Sequence, residues 1–493
     1  MTPDTLKQQI GQALGLTPTR EQAQAIDTFA RFIFSRDAMS AMLLRGSAGT
    51  GKTTLLGALV HTMLRLGQKV LLLAPTGRAA KVLSLKADHE AGTIHRRIYR
   101  QEKFGGHFSL APNMLSSTLI IVDEASMIAS TGMPDAVFGT GRLLDDLVTF
   151  TYSGHNCRLL LTGDMAQLPP VGEEESPALS TPFMQGYGLS IFECSLSQVV
   201  RQSQDSGILW NATRIRQMAM SGQADQLPQI RLSGFPDIEN VPGSELIEQL
   251  ASSHWKVGLD DTIVVTRSNK RANIYNQGIR NTVLMREEQL TSGDLLMVVK
   301  NNYFWTEREI AQQRAAQQVA GLPPEPIATP PFLANGDRCE VLRVRNMRSL
   351  YGFTFADMWL RFPDYDGYEL TATVLLDTLT AEAPALTRAQ QDQLFSSVMA
   401  DYAHLHTKPE RIKAIKQDPY FNAIQVKFAY AVTCHKAQGG QWAHVYVDQG
   451  YMTDDMLGTD YLHWLYTAFT RATEKLYLVN WPKTQTDGPG DDD

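Results

Sequence analysis

The stretch Arg45-Gly46-Ser47-Ala48-Gly49-Thr50-Gly51-Lys52-Thr53-Thr54 decides the fold class of this 493-residue chain. It matches the phosphate-binding pattern G-x-x-x-x-G-K-S/T and lies between apolar runs at 41–44 and 55–60, as in a strand–loop–helix unit. Glycines let backbone N–H groups face a polyphosphate, and the helix N-terminus adds a favourable dipole. Lys52 is placed to reach the β- and γ-phosphates, and Thr53 to coordinate Mg²⁺. We therefore expect a nucleoside triphosphate to bind here.

A glutamine upstream of this loop is a further candidate nucleotide contact. Leu16 to Gln22 predicts the start of a helix, with Thr17 as N-cap and Pro18 at the first helical position. The amide of Gln22 could bind an adenine edge, although Gln22 taken alone is also typical of a solvated helix surface. The predicted nucleotide-binding residues are Gln22, Gly46, Ala48, Gly49, Thr50, Gly51, Lys52, Thr53 and Thr54.

Composition is that of an ordinary globular protein, with 43% hydrophobic and 20% charged residues. The length predicts about three to four domains. No apolar run approaches a membrane span, and the N-terminus lacks a signal-peptide pattern. The four cysteines lie far apart, which argues against a zinc site or a disulfide scaffold and favours a cytoplasmic location. A net charge of −7 still permits a nucleic-acid partner, because a cleft can be locally basic.

Three apolar runs predict the parallel strands of an α/β fold. They lie at 70–73, 119–122 and 158–162, and each runs into a polar loop. Continuous apolar runs are typical of strands covered on both faces, and function lies at their carboxyl ends. A Gly-Gly pair flanked by aromatic residues at 98–110 predicts a small β-pin, with a surface loop as the alternative.

The second half of the chain predicts another α/β region interrupted by a β-barrel. A strand at 261–267 precedes a helix at 269–280, and α/β character returns at 426–432, 445–448 and 476–479. Between them, short strands separated by turns over about 286–420 indicate a small barrel, with a Pro-rich loop at 321–326.

Catalytic chemistry is predicted from residues at strand tips and from two distant arginines. Asp123 would hold Mg²⁺ near Thr53, and Glu124 would orient and deprotonate the attacking water. Gln167, in the loop after the third strand, could sense the γ-phosphate. Arg201 and Arg471 are candidates to stabilise negative charge on that phosphate.

The ordered motifs resemble those of superfamily 1 helicases of the RecD-like and Dda-like branch, over residues 16–479. The matching segments are 16–22, 46–53, 74–80, 93–96, 123–126, 163–172, 201–202, 433–439 and 466–472. Only about 15 residues precede the first motif and about 20 follow the last, so we expect a compact motor rather than a subunit of a larger nuclease.

The resemblance implies an α/β fold with two RecA-like parallel-sheet domains. The first would carry a β-pin insertion, and the second an SH3-like β-barrel insertion. The expected boundaries are 1–200 with the pin at about 88–116, then 201–285 and 421–483 for the second domain, 286–420 for the barrel, and 484–493 for a disordered tail.

The resemblance also implies an ATP- and Mg²⁺-dependent DNA helicase that moves 5′-to-3′ on single-stranded DNA and unwinds duplexes at single-strand/duplex junctions. We expect a monomeric motor whose partners include replication or repair proteins. A single-strand translocase that displaces proteins but barely unwinds, and an RNA helicase, are the alternatives. A P-loop nuclease would need a further acidic metal cluster, and a nucleotide-dependent switch would not need two arginines.

The DNA contacts implied by the resemblance are hydroxyls, imidazoles and cations at loop tips, which suit phosphate contacts. They are Thr76, Arg78, Thr93 and His95 in the first domain and Thr433, His435 and Lys436 in the second. Phe104 and Phe108 flank the pin tip and would split the duplex or stack on its last pair, or alternatively pack the pin onto its own domain.

Overall fold

The computed structural model describes residues 2–101, 108–132, 138–199, 205–320, 329–330, 332–453 and 456–487. The chain forms two compact units. The first combines the chain up to Gly243 with the chain from Ala437 onward, and the second is Ser244–Lys436.

The α-helices of the described residues are, in chain order, α1 (Pro3–Leu14), α2 (Arg20–Ile33), α3 (Lys52–Arg65), α4 (Gly77–Ala87), α5 (Ile94–Ile98), α6 (Leu143–Ser153), α7 (Thr181–Gln185), α8 (Gly207–Met220), α9 (Leu246–Val257), α10 (Asn269–Gly278), α11 (Phe304–Val319), α12 (Arg388–Asp401), α13 (Lys408–Ile415), α14 (Cys434–Ala437) and α15 (Thr459–Phe469).

The strands of the described residues are β1 (Ser40–Gly46), β2 (Lys69–Ala74), β3 (Ala91–Thr93), β4 (Tyr99–Gln101), β5 (Phe108–Leu110), β6 (Thr118–Val122), β7 (Arg158–Gly163), β8 (Ser190–Leu196), β9 (Ile238–Val241), β10 (Thr262–Thr266), β11 (Leu295–Val298), β12 (Arg338–Leu350), β13 (Phe353–Phe362), β14 (Tyr368–Leu375), β15 (Ile424–Phe428), β16 (Ala431–Thr433), β17 (Trp442–Asp448) and β18 (Ala472–Val479).

The first unit is built on a six-stranded sheet in the order β3-β2-β6-β7-β1-β8. Every neighbouring pair is parallel, so the carboxyl ends of all six strands lie at one edge. The strands predicted at 70–73, 119–122 and 158–162 are β2, β6 and β7. Strand β8 was not predicted, because it lies at the sheet edge and only Leu196 of its residues is buried.

Apolar side chains of α1, α2 and α3 pack together with the sheet. Leu6 and Ile10 of α1 and Phe29 of α2 are fully buried in the same cluster as Met42 and Leu44 of β1. This spacing along α1 and α2 follows the helical repeat. The cluster fixes β1 and α3, the two elements that the phosphate-binding loop joins.

The predicted pin is a two-stranded antiparallel ribbon of β4 and β5, in which Gln101 pairs with Phe108. Residues 102–107, including Phe104, lie outside the described residues. Further parallel strands complete the α/β part of the chain: β17, β18 and β9 pair within the first unit, and β10 pairs with β16 in the second.

The second unit contains a closed five-stranded barrel of β11, β12, β13, β14 and β15. The second RecA-like segment was predicted to begin at 421, but β15 pairs with β11 and β14 and therefore belongs to the barrel. An apolar run alone does not distinguish a barrel strand from a buried parallel strand. The fold class is nevertheless the predicted one: two RecA-like parallel-sheet domains, a β-pin and a β-barrel.

The Pro-rich loop and the C-terminal tail were both predicted from composition. The Pro-rich stretch at 321–326 lies outside the described residues. The disordered tail was predicted from 484, but Lys483–Gln485 forms a helical turn and Gln485 is 1% exposed, bonded to Gln449 at 2.9 Å. Residues 488–493 are outside the described part of the chain.

Among the described residues, none of the helices has the length and apolar content needed to cross a lipid bilayer.

Candidate functional site

The phosphate-binding loop joins β1 to α3 at the carboxyl edge of the sheet. Gly49 and Gly51 have φ values of 75° and 72°, a left-handed conformation that residues with a Cβ rarely adopt. A Cβ built at Gly46 would lie 3.0 Å from Cδ of Lys52. The loop therefore needs glycine at all three positions, two for backbone conformation and one so that the Lys52 stem can cross it.

The loop opens into a cavity of about 620 Å³ within the first unit. Its walls bring together most of the predicted nucleotide and catalytic residues. The lining includes Gly46, Ala48, Gly49, Gly51, Lys52, Thr53, Thr54, Glu124, Gln167 and Arg471, together with Leu14, His61, Lys86, Asp164 and Gln441.

Gln22 holds the phosphate-binding loop through its side-chain amide. Helix α2 begins after Thr19, two residues later than the predicted Thr17 cap, and Gln22 and Thr19 form a reciprocal capping box. The Gln22 amide donates from Nε2 to the carbonyl oxygen of Thr50 at 3.1 Å, while its Oε1 accepts from the backbone N–H of Thr19 at 3.0 Å. Both polar atoms of the 6% exposed amide thus bind the protein backbone. Contact with adenine stays a prediction.

Asp123 and Glu124 follow β6 directly, and Glu124 lines the cavity. Glu124 has φ of 52°, a left-handed conformation that is costly for a non-glycine residue and common at functional sites. Burial raises the pKa of Asp123, whereas the nearby Lys52 charge lowers it. Lys52 is thus the positive charge that favours the ionised form of Asp123.

Several buried polar atoms around this edge have no hydrogen-bond partner among the described residues. They are Asp123 Oδ1, Glu124 Oε2, Thr162 Oγ1 and Gln167 Oε1. Buried polar groups are normally satisfied, so a cluster of such atoms indicates a site built for a polar ligand. Oxygen donors from a carboxylate and a threonine hydroxyl are the ligands that Mg²⁺ prefers, and Asp123 with Thr53 fits that requirement.

Tyr466 of α15 forms hydrogen bonds with the segment that follows β7. Tyr466 donates its hydroxyl to Asp164 Oδ2 and accepts the backbone N–H of Ala48 at 2.9 Å. Asp164 also accepts the Ala166 N–H at 3.0 Å. Burial raises the pKa of Asp164, and Lys52 and the Tyr466 hydrogen bond oppose that rise. The tyrosine therefore links the phosphate-binding loop to the motif that follows β7.

Further bonds fix the loop after β7 to the C-terminal segment. The Leu168 N–H donates to Thr467 Oγ1 at 2.8 Å, and Gln438 Nε2 donates to the Leu168 carbonyl at 2.6 Å. His463 Nδ1 lies 2.7 Å from the Ala166 carbonyl. Gln167, between these anchored residues, is 6% exposed.

Arg471 lines the cavity from the end of α15 and is 2% exposed. Its guanidinium donates to the carbonyls of Thr467 and Gly440, both at 3.0 Å, and to Thr470 Oγ1 at 3.1 Å. The protein thus holds this cation at the nucleotide cavity in a fixed orientation. Arg201, the second predicted arginine, lies outside the described residues.

The predicted DNA contacts of the first unit lie at one edge of the sheet. Ala74 of β2 pairs with Thr93 of β3, which brings Thr76 and Thr93 to the ends of adjacent strands. Both threonines cap helices: Thr76 Oγ1 accepts from Ala79 N at 3.2 Å and Thr93 Oγ1 from Arg96 N at 3.3 Å.

Arg78 follows Thr76 but points into the protein. Its guanidinium carbon lies 4.2 Å above the Trp442 ring, and its NH2 group donates to the Gln441 carbonyl at 2.6 Å. Both partners belong to the segment that opens β17, far along the chain.

His95 and Phe108 belong to an aromatic cluster at the base of the pin. The rings of His95 and Phe108 each lie 4.9 Å from the ring of Phe138, and burial lowers the pKa of His95 to about 4. Phe108 is 5% exposed. Of the two roles considered for Phe108, this geometry is that of packing within its own domain.

The predicted contacts of the second unit follow β16. Thr433 ends that strand beside Thr266 of β10, and His435 is exposed. Lys436 donates from Nζ to Asn335 Oδ1, and burial lowers its pKa to about 8. Thr433 and Lys436 are half-buried.

Several residues at the nucleotide site were not predicted as site residues, among them Asp164, Lys86 and Gln441, which line the cavity, and Tyr466, which bonds the phosphate-binding loop. Asp164 and Tyr466 lie inside the quoted motifs at 163–172 and 466–472, so position within a motif was the available signal. Lys86 and Gln441 carry no such signal, yet Lys86 Nζ lies 3.3 Å from Gln441 Oε1 at the cavity wall. Burial lowers the pKa of Lys86, and the Asp123 carboxylate opposes that change.

The fold and the site together define a P-loop protein of the RecA type, with acidic residues after β6 and an arginine facing the loop. Two family models match this chain: an AAA domain over residues 17–229 and a UvrD-like helicase C-terminal domain over residues 428–479.

Comparison with curated proteins finds helicases. The ATP-dependent RecD2 DNA helicase of Deinococcus radiodurans is 28% identical over 295 residues, covering 58% of this chain and 36% of the relative. The ATP-dependent DNA helicase dda of Enterobacteria phage T4 is 24% identical over 266 residues, covering 52% of this chain and 55% of the relative. The chain thus spans about a third to a half of the relatives' lengths. These matches confirm the predicted resemblance to superfamily 1 helicases.

Among solved structures, the Pif1 helicase from Bacteroides in complex with ADP-AlF3 and ssDNA aligns over 96% of this chain and 95% of that chain. The alignment has 14% identity and a TM-score of 0.44.

Proposed function

We propose that this protein is an ATP-dependent DNA helicase that moves 5′-to-3′ along single-stranded DNA and unwinds duplexes. The observation that carries the proposal is the convergence on one cavity of Lys52, Glu124, Gln167 and Arg471. A phosphate-binding loop, a candidate base and a held arginine are the parts that phosphoryl transfer to water requires.

Each residue has a distinct role in this proposal. Lys52 binds the β- and γ-phosphates, and Glu124 orients the attacking water and accepts its proton. Gln167 senses the γ-phosphate. Arg471 and Arg201 stabilise the negative charge that develops on that phosphate. Glu124 suits its role because its Oε2 atom is buried and has no hydrogen-bond partner in the described part of the chain.

Asp123 and Thr53 would hold Mg²⁺. When bound there, Mg²⁺ neutralises charge on the β- and γ-phosphates. Burial raises the pKa of Asp123 and the Lys52 charge opposes that rise, so a bound cation would add to the positive charge that favours the carboxylate form.

DNA binding is proposed for the loop tips named above. Thr76 and Thr93 lie at the ends of adjacent strands and begin α4 and α5, where backbone N–H groups favour a phosphate. Thr433, His435 and Lys436 would bind the strand from the second RecA-like domain. Both RecD2 and dda are named DNA helicases, which supports DNA rather than RNA as the track.

One observation favours a weaker unwinding activity as a second candidate function. Phe108 is buried against Phe138 and is not exposed for stacking on a base pair. A protein whose pin does not engage the duplex would translocate on one strand and displace bound proteins with little unwinding. We propose a monomeric cytoplasmic motor in either case, acting at single-strand/duplex junctions with replication or repair proteins.

The test is the ATPase rate with and without an oligodeoxythymidine, for the wild type and Lys52→Ala. We expect strong stimulation by DNA in the wild type and none in the variant. Gly11→Ala is a matched control, since a Cβ built at Gly11 meets nothing within 4 Å. A rate indifferent to DNA would refute the motor assignment. Forked duplexes with 5′ or 3′ tails then test polarity and separate unwinding from translocation alone.

A further inference from the structure

The segment Gly439–Trp442 touches a predicted DNA-binding residue and a predicted catalytic residue at neighbouring positions. On one side, Arg78 donates to the Gln441 carbonyl at 2.6 Å. On the other, Arg471 donates from NH1 to the Gly440 carbonyl at 3.0 Å, and its own carbonyl accepts the Trp442 N–H at 2.9 Å. Adjacent carbonyls of one short segment are thus held by the two arginines.

The segment Gly439–Trp442 packs closely against Arg78 and the start of α4. A Cβ built at Gly440 would lie 2.7 Å from Cζ3 of Trp442 and 3.1 Å from Cδ of Arg78. At Gly439, a Cβ would lie 3.0 Å from Thr76 Oγ1 and 3.2 Å from Cβ of Ala79. The two glycines therefore lie close against the start of α4, where a side chain at either position would be crowded.

The ring of Trp442 is the second partner of Arg78. It is 2% exposed, and the guanidinium carbon lies 4.2 Å from its centroid. This contact is a partly desolvated cation–π interaction, which competes with any phosphate that would bind the same guanidinium.

We infer that Trp442 and the Gly439–Gln441 loop form a relay that reports DNA binding to Arg471, and this inference rests on the proposed function. A DNA phosphate draws the Arg78 guanidinium from Trp442 and from the Gln441 carbonyl. The segment is then released on one side, and the Gly440 carbonyl that orients Arg471 moves with it. Trp442 is a positioning residue, because it acts through its contacts with Arg78 and Arg471.

Two variants break the relay in different ways. Trp442→Leu removes the ring but keeps an apolar side chain, and Gly440→Ala wedges the ring away from Arg78 without removing any polar group. Trp442→Phe keeps an aromatic face and serves as the conservative variant. Gly11→Ala controls for Gly440→Ala. Trp481→Leu controls for the loss of a buried tryptophan, since Trp481 is 3% exposed in the first unit and Trp442 2% exposed.

The measurements are the basal ATPase rate, the fold stimulation by saturating oligodeoxythymidine, DNA affinity by fluorescence anisotropy, and melting temperature. For Trp442→Leu and Gly440→Ala we expect the fold stimulation by DNA to fall about tenfold or more, because the segment is already released without DNA and the basal rate rises toward the stimulated rate. DNA affinity should stay the same or tighten by up to about tenfold, because Arg78 loses the Trp442 ring as a competing partner while it keeps the Gln441 carbonyl. Trp442→Phe should keep most of the stimulation.

Parallel loss of basal rate and DNA affinity in both variants would mean a purely structural role and overturn the relay. Normal stimulation in folded Trp442→Leu and Gly440→Ala would also overturn it. Failure of the proposed function is distinguishable, because the wild type itself would then show no stimulation by DNA.

Discussion

Removing the Tyr466 hydroxyl tests whether α15 and the phosphate-binding loop are coupled as the structure indicates. In Tyr466→Phe, Asp164 Oδ2 loses its donor and the Ala48 N–H loses its acceptor, while the ring still fits its 2% exposed site. Asp164 is itself 4% exposed. In the variant it still accepts the hydrogen bond from the Ala166 N–H.

The size of the expected stability loss depends on the charge of Asp164. A hydrogen bond to a charged group contributes about 1.5–3 kcal/mol, against about 0.5–1.5 kcal/mol for a neutral one. We therefore expect Tyr466→Phe to lower the free energy of unfolding of the first unit by about 1.5–3 kcal/mol. The freed Ala48 N–H should also let the loop bind ATP a few times more tightly, because hydroxyl and phosphate no longer compete for it.

The matched control is Tyr461→Phe on the same helix. Tyr461 is also 2% exposed, but its hydroxyl bonds the neutral amides of Gln449 at 2.7 Å and Gln485 at 3.2 Å. Urea denaturation followed by tryptophan fluorescence gives both stability changes, and a fluorescent ATP analogue gives the affinity. Equal losses in the two variants, with ATP affinity unchanged, would refute the coupling.

Three further predictions concern separate parts of the molecule. Arg471→Ala should lower the ATPase kcat by about a thousandfold with nucleotide binding largely retained, as for other arginines that stabilise phosphoryl transfer, and normal turnover would contradict its role. Asp294→Asn should lower the free energy of unfolding, measured by urea denaturation, by about 3–5 kcal/mol. The reason is that Arg280, which is 2% exposed, would lose the carboxylate that it binds at 3.0 and 3.1 Å. An unchanged urea midpoint would contradict this. Burial raises the pKa of Asp337 to about 7, so the folded state holds a proton that the unfolded state has already lost. Stability of the second unit should therefore fall as pH rises from about 4 to 7, and Asp337→Asn should flatten that part of the pH–stability curve.

The sequence predicts well where a short local pattern fixes both backbone and chemistry. The phosphate-binding loop needs glycine for its conformation and lysine for its ligand, so ten consecutive residues define it. The same holds for Asp123 and Glu124 after the buried strand β6, and for the barrel strands separated by turns. Each of these features depends mainly on neighbours in the chain.

The sequence does not predict features that depend on distant partners. The role of Arg78 as a phosphate contact stays a prediction, but its hydrogen bond to Gln441, 363 positions away, follows from no local pattern. Strand β15 looks like any buried strand, and only its pairing with β11 assigns it to the barrel. Lys86 and Gln441 reach the nucleotide cavity for the same reason, through the tertiary fold alone.

The nucleotide cavity is completed by a segment that returns only after the whole second unit. Arg471, Gln441 and Tyr466 all follow Ala437, whereas the phosphate-binding loop lies before Gly243. The entropic cost of closing such an excursion grows only slowly with its length, so a barrel can occupy it at small cost to the first unit. In return, the Gly440 carbonyl that orients Arg471 lies four positions after Lys436, a predicted DNA contact. The chain itself thus joins the nucleotide cavity to the residues predicted to bind DNA.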